Sequence, residues 1–341
     1  MRTDDFDDAC AFCSPKGSAD VKHGERLAGR VVVGRTADGH AMEVRIERTL
    51  AEGGIGVVHA GRAPDGRAVA VKVLMERHAH DAGIVSRFER EIVHALRIRH
   101  DNVVTALAAG RLDDGRPFLV MELLQGETLG AMVRSHGPVT IARGLRLGAQ
   151  ILAGLEAVHQ AGLVHRDLSP DNVFIARDAS GERAVILDLG FAQEPGVDTG
   201  DGVTADSPGS LVGTLAFMAP EQATRGRAVT MQSDLFAVAL LVYYALSGRV
   251  PFRGQDDRDV IVSVVRAAPV PLRRVRRDAP VALDRVLGRA LAKHPDARFN
   301  GAGEMRAALD RVPHDVRGAA RASFGMPRAR KASPRAVAPA A

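Results

Sequence analysis

Tryptophan is absent from this chain of 341 residues, and tyrosine and cysteine occur twice each. Cys10 and Cys13, two residues apart near the start, cannot staple a secreted fold and suit a reducing cytosol. Aromatic residues make up 4% of the chain, so platforms for stacking nucleic-acid bases are scarce. No window approaches the ~18 uninterrupted apolar residues that a membrane-spanning helix needs. The first 30 residues carry Asp4, Asp5, Asp7 and Asp8 in place of a basic, apolar leader. Neither a membrane span nor a secretory signal is expected, and a cytoplasmic location follows. Lysine is scarce too: of 46 basic residues only Lys16, Lys22, Lys72, Lys293 and Lys331 are lysines.

The formal net charge is +5 and the pI is near 9.7, which invites a nucleic-acid reading until the charges are located. Arg317, Arg321, Arg328, Arg330, Lys331 and Arg335 lie in a stretch from Val316 to Ala341 without any acidic residue. The rest of the chain therefore has no net positive charge, and no nucleic-acid partner is expected. With 46% apolar and 26% charged residues, that remainder can bury a sizeable core.

Residues 1–40 show no sustained period and read as a mobile leader carrying the Cys10/Cys13 pair. From Glu43 the pattern changes to short β-branched runs at 43–49, 56–61 and 68–74, the last two joined through Pro64, Asp65 and Gly66. A helical period covers 84–98, and two further strands fit 103–112 and 117–123. The expected small lobe, 41–124, is thus a five-stranded antiparallel sheet with one helix. Residues 125–312 read as a larger, mainly helical lobe, with helices at 140–160, 233–246, 257–267, 281–293 and 302–311. The Arg-, Ala- and Pro-rich segment 313–341 cannot supply a core and is expected to be disordered.

Four blocks carry chemistry. Ala51-Glu52-Gly53-Gly54-Ile55-Gly56 lies between two strands, where glycines let backbone N–H groups approach phosphates. Lys72 sits inside the apolar run 68–74, and a buried cation there needs an anionic partner, for which Glu91 on the following helix is placed. In His165-Arg166-Asp167-Leu168-Ser169-Pro170-Asp171-Asn172 a carboxylate precedes a carboxamide by five positions, and Asp188 ends an apolar strand soon after. Oxygen ligands of this kind suit Mg²⁺. The fourth block is Gly213-Thr214 with Ala219-Pro220-Glu221.

These blocks, in this order and at these spacings over residues 41–312, resemble the eukaryotic-like (Hanks-type) serine/threonine protein kinases of bacteria. The resemblance implies a two-lobed α+β fold and an enzyme that transfers the ATP γ-phosphoryl to Ser or Thr hydroxyls of proteins, autophosphorylation included. It implies that residues 51–56 cover ATP, that Val58 and Ala70 lie against adenine, and that Lys72, held by Glu91, reaches the phosphates. Met121 would guard the adenine pocket, with the Glu122 carbonyl and the Leu124 N–H on the purine edge. Asp167 would accept the substrate hydroxyl proton, and Asn172 and Asp188 would hold Mg²⁺. Glu221 would pair with Arg298, and Asp234 would brace the catalytic loop.

Three positions depart from the family pattern: Ala51 for the first loop glycine, Leu189 for a phenylalanine, and Ser169 for a lysine that meets the transferring phosphoryl. Ser169 and Ala51 keep open a nucleotide-binding pseudokinase scaffold. A small-molecule phosphotransferase is opposed by the Gly213-Thr214 and Ala219-Pro220-Glu221 blocks, which shape a peptide-docking surface. Residues 193–212 read as an activation segment in which phosphate on Thr204, Ser207 or Ser210 would be captured by Arg166. Cys10 and Cys13 read as unmetallated thiols, His78 and His80 as solvated loop residues, and 273–277 as an exposed connecting loop.

Overall fold

The computed structural model describes residues 10–11, 27–179, 181–189, 192–193, 215–224 and 228–313. The leader apart from 10–11 and 27–40, most of the activation segment and the tail beyond Pro313 lie outside the described residues.

Near the start, β1 (Cys10–Ala11) is a two-residue strand. The small lobe is a closed barrel of β2 (Val31–Arg35), β3 (Ala41–Glu52), β4 (Gly56–Arg62), β5 (Ala68–Leu74), β6 (Ala106–Arg111) and β7 (Pro117–Glu122), in the order β2-β3-β4-β5-β7-β6. Its inside is apolar because alternate residues face it: Val32, Val44, Ile46, Val69, Val71, Val73, Phe118 and Val120 form one buried cluster. The barrel therefore has six strands in place of the expected five, and its first strand lies inside the stretch expected to be the leader. Leu27 is buried, and Val31–Arg35 pairs along 41–45 of β3. Five residues interrupted by Gly34 are too short for their alternation to stand out. The single helix of this lobe, α1 (Ala82–Arg97), is capped by Asp81, whose Oδ1 accepts from the Ile84 N–H at 3.0 Å.

The connection to the large lobe runs through β8 (Gly126–Thr128), which pairs in parallel with β1 and antiparallel with β9 (Val173–Asp178). β9 forms a hairpin with β10 (Gly181–Ile186). The helices of this lobe are α2 (Leu129–His136) and α3 (Ile141–Gln160) before the hairpin, and α4 (Met231–Ser247), α5 (Asp257–Arg266), α6 (Leu272–Val275), α7 (Val281–Ala290) and α8 (Ala302–Asp310) after it. Helix α4 is buried on all sides from Ser233 to Tyr243, as its unbroken apolar run demands, and forms the axis of this lobe. Helix α3 approaches it closely at Gly144, where an added Cβ would lie 2.4 Å from Leu246 Cδ2. No helix among the described residues is long and apolar enough to cross a membrane.

The run 273–277 is not simply an exposed loop. Arg273 and Arg274 lie on α6, and Arg276 donates to the carbonyls of Val139 and Leu246, the latter at 2.7 Å, while pairing with Asp278 at 3.1 Å. Arg276 thus satisfies a carbonyl in the last turn of α4 and one just before α3, using donors that a solvated loop would leave in water, while Arg273, Arg274 and Arg277 are exposed.

Candidate active site

The cleft between the lobes gathers the residues expected from the motifs. On β5, Lys72 stands opposite Val58 of β4 and Leu119 of β7. Its Nζ donates to Glu91 Oε1 at 2.6 Å and to Asp188 Oδ2 at 3.2 Å. Glu91 lies on the inner face of α1 with Phe88, Ile92 and Ala95, so the helix's apolar stripe drives a carboxylate inward. Burial opposes the charge on Lys72, but Asp188 and Glu91 outweigh it and raise the ammonium above its ordinary value. Burial, reinforced by Asp188, pushes Glu91 up to about 7 against the pull of Lys72.

Asp167 is held by its neighbours in the chain. Asn172 Nδ2 donates to the Asp167 carbonyl at 2.8 Å and to Asp167 Oδ2 at 2.9 Å, while the Leu187 N–H donates to the Asn172 carbonyl at 3.0 Å. The five-residue spacing thus closes a loop that also anchors the strand end carrying Asp188. Burial and the charge of Asp188 push Asp167 up to about 7, and the Asn172 bond partly offsets them. From below, Asp234 on α4 accepts the N–H groups of His165 at 2.8 Å and Arg166 at 2.9 Å, and its Oδ2 lies 2.8 Å from His159 Nε2. Arg166 adopts φ 69°, an unfavourable backbone for a non-glycine residue, which these two bonds hold in place.

The glycine loop closes on itself through the Gly53 N–H to the Gly56 carbonyl at 2.8 Å, flanked by Ala51 and Glu52 at the end of β3. The Met75 N–H donates to Ile55 at 3.0 Å, and His78 Nε2 lies 3.1 Å from the Gly54 carbonyl. His78 therefore sits beside the loop and is not simply solvated. Ala70, Met121 and Leu124 share one apolar cluster with Val58, and Phe174, Val185 and Leu187 join it from the large lobe. Glu122 follows Met121 at the end of β7.

Glu221 and Arg298 form a bidentate pair at 2.7 and 2.8 Å, both side chains essentially inaccessible, and the Ser233 hydroxyl donates to the same carboxylate at 2.6 Å. Burial opposes ionisation of Glu221, but Arg298 and Ser233 hold it below its ordinary value. Ser169 is buried, and its carbonyl accepts the Asn172 N–H at 3.1 Å. Gly190, Gly213, Thr214, Thr204, Ser207 and Ser210 lie outside the described residues; Arg166 donates to the Gln193 side chain at the start of that segment.

Phe174 escaped the sequence reading although it floors the apolar cluster; the run Val173-Phe174-Ile175 after Asn172 was its signal. His159 also escaped, since nothing in its helix period distinguishes it from a surface residue. The donor set fits Mg²⁺. The charge of Asp188 disfavours ionisation of both Glu91 and Asp167, and Lys72 pairs with Glu91 and Asp188 but not with Asp167, so the group holds more negative oxygen than its one cation offsets, an excess that a divalent ion would relieve.

Comparison with known proteins agrees with this geometry. The protein kinase domain model matches residues 44–302. The serine/threonine-protein kinase PknB of Mycolicibacterium smegmatis is 36% identical over 267 residues, spanning 77% of this chain and 42% of that protein. Myxococcus xanthus pkn2, named a serine/threonine-protein kinase, is 38% identical over 272 residues, 78% of this chain and 32% of its own length. The chain thus spans less than half the length of these two curated relatives. A crystal structure of the Mycobacterium tuberculosis PknI kinase domain superposes with a TM-score of 0.59 at 25% identity, covering 78% of this chain and 94% of that one. With its motifs assembled in one cleft and its family model matched from 44 to 302, the chain belongs to the protein kinase family, among the bacterial serine/threonine kinases of the eukaryotic-like type.

Proposed function

We propose that residues 41–312 act as a catalytic unit that transfers the γ-phosphoryl of ATP to serine or threonine hydroxyls of proteins, in a reducing, cytosolic setting. The observation that carries this reading is the bridge from Lys72 to both Glu91 and Asp188, which sets a buried cation suited to phosphate beside a carboxylate suited to a metal. Lys72 would hold the α- and β-phosphates. Backbone N–H groups of 53–56 would cover them, and Val58, Ala70, Met121 and Phe174 would enclose adenine between apolar surfaces. Asn172 and Asp188 would hold Mg²⁺, which neutralises phosphate oxygens. Asp167, unprotonated and oriented by Asn172, would take the proton of the incoming hydroxyl. Catalysis is then positioning plus electrostatic stabilisation.

Ser169 favours a second reading, a nucleotide-binding scaffold without turnover, because a serine supplies no charge to the phosphoryl in flight. Intact Lys72, Asp167, Asn172 and Asp188 weigh against it. Incubation of the purified chain with Mg²⁺, γ-labelled ATP and a generic protein substrate, followed by phosphosite mapping, separates the two. Label on serine or threonine supports the kinase; ATP binding with no label supports the scaffold.

A further inference from the structure

Arg183 on β10 makes a contact that none of the motifs requires. Its Nη2 lies 2.7 Å from Oε2 of Glu122, the residue whose carbonyl is assigned to the purine edge, and its Nη1 donates to the Asp101 carbonyl. The other carboxylate oxygen of Glu122, Oε1, accepts the Thr105 N–H at 2.9 Å, while the Glu122 N–H donates to the Thr105 carbonyl at 3.0 Å. The ladder between β6 and β7 has a register shift between Ala106 and Ala108, next to this point. There the side chain of Glu122 takes the place of a strand carbonyl. Both side chains are about three-quarters covered, so the pair is only partly screened by water.

Three elements meet at this guanidinium: the end of β7, the segment 101–105 that follows α1, and the β9–β10 hairpin. Segment 101–105 is laid along β10 by further bonds. Asn102 Nδ2 donates to the Ala184 carbonyl at 2.8 Å, the Ile186 N–H to Asn102 at 2.9 Å, and the Val104 N–H to Ile186 at 2.8 Å. Beyond Glu122 the chain continues into Leu124, the other backbone contact assigned to the base, with no regular strand before Gly126. A fixed carboxylate at Glu122 therefore sets the direction in which this short connection leaves the barrel.

We infer that Arg183 is a positioning residue for base recognition: by clamping the Glu122 carboxylate against the Thr105 N–H, it preorganises the Glu122–Leu124 backbone that binds the purine edge. This rests on the nucleotide site proposed above. Arginine suits the role because its planar fork serves the carboxylate and the Asp101 carbonyl together, which a lysine ammonium does with less fixed geometry. Loss of the clamp acts on ground-state binding of ATP, while the bonds that hold Lys72, Asp167 and Asn172 run to other residues and remain. Affinity falls while turnover at saturating ATP holds.

The test measures Mg²⁺·ATP binding by calorimetry, together with KM for ATP and kcat, on the full chain and on Arg183→Met, Arg183→Lys, Glu122→Gln and the Arg183→Met/Glu122→Gln double variant. Arg183→Met is expected to weaken ATP binding and raise KM by about five- to tenfold, with kcat within about twofold. Arg183→Lys should recover part of the loss, and the double variant should be no worse than Arg183→Met alone. Wild-type ATP affinity in Arg183→Met, a parallel fall in kcat and affinity, or additive losses in the double variant would each overturn the inference while leaving the nucleotide site standing. Should Arg183→Met not fold, Arg183→Lys and Glu122→Gln carry the same comparison. A wild-type chain that binds no ATP would remove the nucleotide site itself, and this inference with it.

Discussion

Lys72 Nζ and Glu91 Oε1 lie 2.6 Å apart, the ammonium on β5 and the carboxylate on the inner face of α1. Lys72→Met removes the cation of this pair and leaves a buried carboxyl group that burial already pushes up to about 7, so Glu91 can take a proton and the fold can persist. Phosphoryl transfer by Lys72→Met should drop by about 100-fold or more, with a circular-dichroism melt close to that of the wild type. Unchanged turnover would remove Lys72 from the nucleotide site.

Ser169 stands where a lysine would meet the transferring phosphoryl in the family pattern. Loss of that charge costs a few kcal/mol of transition-state stabilisation, or about two decades in rate, while Lys72, Asn172 and Asp188 retain the rest. Ser169→Lys should leave the rate of transfer the same or raise it, by up to about 100-fold. A sharp fall in rate for a folded variant would show that the serine has its own role in this cleft.

The pair between Glu221 and Arg298 gives stability a defined pH dependence. Arg298 and Ser233 hold the folded pKa of Glu221 below its ordinary value of 4.5, so its contribution is complete above about 4.5 and is lost as pH falls through the folded value. Removing one partner of so buried a pair costs about 3 kcal/mol. Urea midpoints of wild type and Glu221→Gln should therefore differ most at neutral pH and converge in acid. A constant gap across that range would contradict the assignment.

Gly126 joins the two lobes with φ 140°, and a Cβ there would sit 2.1 Å from the Ile175 carbonyl. Gly126→Ala must open the β8–β9 ladder or strain the backbone, at a cost of about 3 kcal/mol. A urea midpoint equal to that of the wild type would show that β8 is not built as described.

Most of the site was legible because each motif holds its residues within a few positions of one another: Asn172 reaches Asp167 across five residues, and Lys72 lies on a strand whose apolar neighbours mark it. The pairing of Lys72 with Glu91 could be read because a buried cation needs a counter-charge. What escaped depends on closure in space. β2 is the exception: its main partner β3 follows at once, with only the Arg35–Ala109 pair reaching β6, and it was invisible because five residues with Gly34 among them show no apolar alternation. Phe174 and Arg183 reach the cleft only once the β9–β10 hairpin folds beneath it, and His159 gains meaning only through Asp234, 75 positions later. The run 273–277 looked like a solvated charge cluster since the carbonyls that Arg276 satisfies belong to other elements.

The central claim is that Asp167, oriented by Asn172, serves phosphoryl transfer, and the most direct measurement compares wild type with Asp167→Asn under matched ATP and Mg²⁺, reading label incorporated into serine and threonine. The asparagine variant keeps the size and much of the hydrogen bonding of Asp167 but cannot accept the proton, so it should fold, bind ATP and transfer at least about 100-fold more slowly. Indistinguishable transfer from the two proteins would contradict the kinase assignment.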